Sequence, residues 1–171
     1  MTSPTDPFED PTPRVSKHAS IASFRARLVM IEPVLVERNV PKIASQPNGP
    51  KGDKVIADVT VLDGKGPVQV WDRFTPTDVW LDGPLFRKVW FNQTQVTDAL
   101  QSPDGKSLRG RVLCRLDTLK PGTSQGEGNP WTVTACTPQE KAAAAQELAR
   151  IQLAIEEVDP FAPGGNGTAP F

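Results

Sequence analysis

Arginine recurs at alternate positions in two stretches of this 171-residue chain. In FRARLVMI, residues 24–31, Arg25 and Arg27 share a face with Val29 and Ile31, opposite Phe24, Ala26, Leu28 and Met30. In SLRGRVLCRLDTL, residues 107–119, Arg109, Arg111 and Arg115 oppose Leu108, Gly110, Val112, Cys114 and Leu116. A period of two marks a half-buried strand, so each set of guanidinium groups is expected on a solvent face. Such a row suits a polyanion, because each guanidinium offers a planar fork of donors to phosphate or carboxylate oxygens. In PVQVW, Trp71 lies opposite Val68 and Val70 and is expected to point outward, with Arg73 and Phe74 close behind. A flat ring beside cations can stack on another flat ring and draw a cation to its face. Lys54, Arg87, Lys88 and Lys120 flank loops and extend the same chemistry.

Each of these features has a plainer structural meaning. Alternating arginines are also the ordinary solvated face of a strand, and Trp71 would pack under a helix as readily as it would stack. Trp80, Trp90 and Phe91 lie where the register is ambiguous and are read as core. Trp131 shares a face with Val133 and Ala135 and is read as structural.

The elements that must position these residues are short. After a Pro/Gly-rich loop at 41–52, KVIADVTVL sets Val55, Ala57, Val59 and Val61 on one face and Ile56, Asp58, Thr60 and Leu62 on the other. The Asp63-Gly64 turn predicts PVQVW as a third strand, hairpinned to the second through a loop of about three residues. Within 78–101, Leu85, Val89 and Phe91 predict a brief extended piece, and Asn92 a cap for a short helix. Strands over 107–119 and 129–137 follow. Thr137-Pro138-Gln139-Glu140 then supplies an N-cap, a proline at the first helical position and a capping-box glutamate. Leu148, Ile151, Ile155 and Val158 form a 3/4-spaced stripe, expected to pack on the sheet or on a second subunit. The sum is a mainly β chain: a five-stranded OB-type barrel with a short helix between strands 3 and 4 and a C-terminal α-helix. A small sandwich is the alternative. The plan divides into a disordered arm at 1–18, the barrel at 19–137, the helix at 138–158 and a flexible tail at 159–171.

Composition narrows the function classes. The 18 prolines and 13 glycines favour loops and short strands over a helical bundle. No apolar run reaches the ~20 residues of a membrane span, and the start lacks a secretory signal, so a cytoplasmic location is expected. Cys114 and Cys136 sit in apolar runs as buried thiols, and with His18 the only histidine, neither a metal site nor a cofactor is expected. There is no GxxxxGK[ST], GxSxG, HExxH or dinucleotide loop, and no acidic pair suited to two metals, so the chain is not expected to be an enzyme. The net charge of −1 is uneven. Residues 19–136 carry 15 Lys/Arg against 12 Asp/Glu, whereas the flanks carry 4 against 8. A mildly basic body with acidic ends fits an anionic ligand for the body.

The stretches RLVMIEPVLVERNVP, DKVIADVTVLDG and GNPWTVTACTPQEKAAA, in this order, resemble the OB-fold single-stranded-DNA-binding proteins of actinobacteriophages, over residues 20–157. The resemblance implies a protein that coats and protects single-stranded DNA during phage replication or recombination, in the host cytoplasm. The residues expected to bind DNA are Arg25, Arg27, Lys54, Trp71, Arg73, Phe74, Lys88, Arg109, Arg111 and Arg115. The tripeptides Asp6-Pro7-Phe8 and Asp159-Pro160-Phe161, echoed by Pro170-Phe171, place an aromatic anchor beside a stiff proline. A partner-binding tail is therefore expected, recruiting replication or recombination proteins. Pro170-Phe171 looks like the end of bacterial single-strand-binding tails, but no acidic cluster precedes it. A homodimer is also expected. The competing function is a β-barrel adaptor or virion protein that touches only other proteins, and a preference for RNA or duplex DNA is a third.

Overall fold

In the first strand, Leu28, Val29, Met30 and Ile31 are all buried, where simple alternation would leave every second residue wet. Both faces of the sheet are therefore covered at this point. A computed structural model of the chain describes residues 18–42, 46–72, 75–120 and 129–158, with side chains up to residue 155. Its elements are β1 (Leu28–Pro41), β2 (Lys51–Val61), β3 (Val68–Asp72), β4 (Thr75–Leu81), β5 (Leu85–Phe91), α1 (Thr94–Ala99), β6 (Val112–Thr118), β7 (Trp131–Ala135) and α2 (Pro138–Val158). A five-stranded antiparallel sheet has the order β5-β2-β1-β6-β7, and β3 and β4 form a separate hairpin.

The main core takes the inward residues of this sheet. Val55, Ala57 and Val59 of β2 meet Val29 and Ile31 of β1, Phe91 of β5 and Leu116 of β6, all fully buried. Phe24 adds an edge-on contact to Phe86, ring centroids 5.4 Å apart. On the outer face, Leu28, Met30 and Leu62 form a second core with Cys136 and with Ala144 and Ile151 of α2. The helix thus packs on the sheet, as its stripe predicts, but the contact uses Ala144, Leu148 and Ile151, and Ile155 is 54% exposed. Its N-terminus is closed by a reciprocal capping box. The Glu140 N–H donates to Thr137 Oγ1 at 3.2 Å, and the Thr137 N–H donates to Glu140 Oε1 at 3.1 Å.

Several expectations need correction. The first strand starts at Leu28, because residues Ile21–Phe24 form a 3-10 turn and Ala26 has a positive φ of 57°. β3 pairs with β4 and not with β2, whose partners are β1 and β5. The β2–β3 connection is consequently a crossing between two sheets instead of a hairpin turn. β4 has a weak strand signature because Pro76 and Asp78 interrupt the strand-forming Thr75, Thr77 and Val79. Asn92 does not cap α1; the N-cap position is Gln93, without a side-chain cap bond, and the Asn92 amide donates to Lys42 O at 2.7 Å. Arg109 and Arg111 precede β6 and lie outside it.

Cys114 and Cys136 are free and buried, in the main and second core respectively. Burial, followed by the nearby Cys136, pushes the Cys114 thiol up to about 12. Among the described residues no helix is long and apolar enough to cross a membrane.

Removing the Thr137 hydroxyl leaves one donor of the α2 N-terminus unmet on an otherwise unchanged helix. Thr137→Ala is expected to lower stability by ~1 kcal/mol, read as a reduced urea midpoint with an unchanged denaturant slope.

Candidate nucleic-acid interface

The helix α2 covers only part of the sheet's outer face. On the remainder, the strand register aligns Trp90 of β5 with Ile56 of β2 and Ile56 with Leu35 of β1. Trp90 is 62% exposed and Leu35 half exposed, so an apolar row crosses three strands in the open. Next to it, Lys54 places its ammonium 4.1 Å from the Trp90 ring centroid and pairs with Glu37 at 3.1 Å. Asp58 organises the other flank. It accepts the Lys88 N–H at 3.2 Å and pairs with Arg87 at 3.6 Å, while the Arg87 side chain stays largely in solvent. Arg111 pairs loosely with Glu32, whose register partner is Asp58. Among the described residues Lys88 has no carboxylate partner. The face therefore holds four cations and three carboxylates around one flat, exposed ring.

Trp90 faces outward between the buried Val89 and Phe91, and β5 carries a bulge just before them. Lys88 has a φ of 56°, and the pairing with β2 slips between Ala57 and Val59. The slip turns Phe86 inward in place of Leu85, while Val89 and Phe91 stay inward. Strict alternation, which would group Leu85, Val89 and Phe91, therefore misplaces one end of the strand. The core reading holds for Phe91 and is overturned for Trp90 and for Trp80, which is 56% exposed on β4.

The five strand arginines do not form one row. Arg27 makes two bonds to Asp63, Nε to Oδ2 at 2.7 Å and a terminal nitrogen to Oδ1 at 2.9 Å, and donates to the Gly66 and Pro67 carbonyls. It ties the β2–β3 connection to the start of β1. Arg115 bonds Glu140 through Nε at 2.6 Å and reaches Ala26 O, fastening β6 to the α2 N-terminus. Arg25 lies between two indoles, 5.0 Å from the Trp71 centroid and 5.3 Å from that of Trp131, with its buried Nε unbonded. Trp71 is correspondingly packed against the main core, half-buried, and does not project as expected, while Trp131 is buried as read. Arg109 donates from Nε to Gln101 O at 2.9 Å.

Arg109 also lines a polar cavity of about 470 Å³ with Arg38, Asp53, Asp98 and Gln101. Arg38, which its position alone did not mark, bonds Asp53 at 2.7 Å, Gln101 Oε1 at 2.6 Å and Gly105 O at 2.6 Å. Arg73, Phe74 and the tail residues Asp159, Pro160, Phe161, Pro170 and Phe171 lie outside the described residues. Among the described residues no group of three or more His, Cys, Asp or Glu could hold a metal ion.

No family model, curated protein or solved structure matches the chain. The class is a mainly β chain with a five-stranded antiparallel sheet, an extra hairpin and a C-terminal helix.

The Arg27–Asp63 pair is the part of this region with a clear pH signature. Burial raises the Asp63 carboxyl, but the Arg27 hydrogen bonds, the Lys65 N–H, the guanidinium charge and the Leu28 N–H together hold it below its ordinary 3.8. A carboxyl depressed on folding stabilises the protein above its unfolded pKa, and that stabilisation fades as pH falls through the folded value. Asp63→Asn is therefore expected to cost ~2 kcal/mol at neutral pH. The gap to the parent protein in urea unfolding should narrow as pH drops below 3.8.

Proposed function

We propose that this chain binds single-stranded DNA, largely without regard to sequence, across the β2–β5 face. The observation that carries the reading is Trp90, exposed on a sheet face with the Lys54 ammonium 4.1 Å from its ring. Nonspecific single-strand binding needs flat rings for bases and cations for the phosphates between them. Trp90, Lys54, Arg87, Lys88 and Arg111 supply both, and Ile56 and Leu35 extend the apolar floor.

The strand order supports an OB-type barrel. Leaving out the hairpin, the sheet strands run in the chain as β1, β2, β5, α1, β6 and β7, with the helix after the third. In space the third sits beside the second, the first is central, and the fourth and fifth lie on its other side. In OB barrels the face of the second and third strands is the one that takes oligonucleotides. Those strands are β2 and β5 here, which carry Lys54, Ile56 and Trp90. The β3–β4 hairpin is then an insertion between the second and third barrel strands. With the resemblance to actinobacteriophage single-strand binders, this favours coating of single strands in phage replication or recombination.

Titration with poly(dT), followed by tryptophan fluorescence and by gel shift against duplex DNA, tests the reading. Poly(dT) should quench the parent protein, and Trp90→Ala should weaken binding about 5- to 150-fold, the loss of one stack at ~1–3 kcal/mol. Lys54→Ala should flatten the salt dependence by ~0.7 in log–log slope. Equal affinity of Trp90→Ala and the parent, or no shift with any single strand, would leave the protein-only adaptor as the better account.

A further inference from the structure

The two most exposed tryptophans sit in opposite electrostatic settings. Trp90 has the Lys54 ammonium at its ring and shares its strand with Arg87 and Lys88, whereas Trp80 lies on the β3–β4 hairpin between Asp78 and Asp82. Along β4 burial alternates, so Asp78 and Trp80 face solvent together while Thr77, Val79 and Leu81 turn partly inward. Asp82 follows immediately after the strand and is exposed; Asp72, also exposed, pairs with Thr75 at the hairpin's other end. None of Asp72, Asp78 and Asp82 has an ion-pair partner among the described residues. A strand of phosphates would be repelled here, and the Trp80 ring is a poor platform for a nucleic-acid base. An ammonium or guanidinium would instead be attracted twice, by the carboxylates and by the ring face.

The backbone points the same way. β4 is paired on one side only, by β3, and among the described residues no strand lies along its other edge. An open edge beside alternating outward side chains is a template for adding one extended strand. Pro76 and the bulge between Pro76 and Trp80 interrupt the edge toward Thr75, so an added strand fits best at the Trp80 end.

We propose that the β4 edge of the hairpin is a docking site for an extended, Lys/Arg-bearing segment of a partner protein. The segment lies along the Trp80 end of β4, with a cation over Trp80 and between Asp78 and Asp82. This surface is separate from the β2–β5 face, and the inference does not depend on what that face binds.

The test uses the full chain and two fluorescent peptides, one alternating Lys and Val, the other alternating Glu and Val, followed by anisotropy. The Lys–Val peptide should bind about tenfold or more tighter than the Glu–Val peptide, with an affinity that falls as salt rises. Trp80→Ala and, separately, Asp78→Lys should each abolish that preference, with circular dichroism and melting temperature unchanged. Poly(dT) binding should be the same in both variants as in the parent. Indifference to peptide charge, or peptide binding untouched by both variants, would overturn the proposal. So would a loss of poly(dT) affinity in Trp80→Ala, which would make Trp80 a second base platform.

Discussion

Burial of Leu28–Ile31 on both sides is the constraint from which the rest of the architecture follows. Val29 and Ile31 must enter the main core and Leu28 and Met30 must find other cover, so the outer face of the sheet needs a helix at this point. α2 meets that need with Ala144, Leu148 and Ile151. Ala144 lets the helix come close to the sheet, and Ile151 fills the space beyond it. Because β1 runs on to Pro41, its far half, with the facing parts of β2 and β5, lies clear of the helix. The exposed row through Trp90, Ile56 and Leu35 is thus the part of one continuous face that α2 leaves open.

The same geometry decides which cations are available to a ligand. Arginines near the covered half are drawn into joints: Arg27 closes the crossing to the hairpin, Arg115 anchors the α2 N-terminus, and Arg25 fills the gap between two indoles. In each case several short bonds or two ring contacts hold the group, and a phosphate would have to displace them. Cations of the open half are held more loosely. Arg87 and Arg111 sit 3.6 Å from their carboxylates with more than half of each side chain in water. Such pairs are worth little and open at low cost.

What could be read in advance depended on how local the determining contacts are. The inward set Val55, Ala57, Val59 and Val61, and the capping box at Thr137 and Glu140, are properties of neighbouring residues and were plain in the sequence. Mainly β character, the short helix before the last two sheet strands and the terminal helix were legible for the same reason. The fates of Arg27 and Arg115 were not, because their carboxylates lie 36 and 25 residues away along the chain. The register of β5 was blurred by a single bulge at Lys88 that turns Phe86 inward in place of Leu85, a backbone event without a strong residue signature. The β3–β4 hairpin escaped notice because Asp63-Gly64 looks like a tight turn, although its carboxylate serves to hold Arg27 across a sheet crossing.

The guanidinium of Arg25 has a mechanical consequence. It bridges Trp71 of the hairpin and Trp131 of the sheet, so the two β units are joined by a clamp at that point as well as by the chain. Because Trp71 pairs with Pro76, close to the turn end of the hairpin, that end is held to the sheet by the clamp and the other end by the chain connections. Anything captured along β4 would be kept near whatever occupies the sheet face, at a local concentration set by the spacing of the two units and not by free diffusion. A joint made of flat rings and a delocalised cation also tolerates small sliding better than one made of directional bonds.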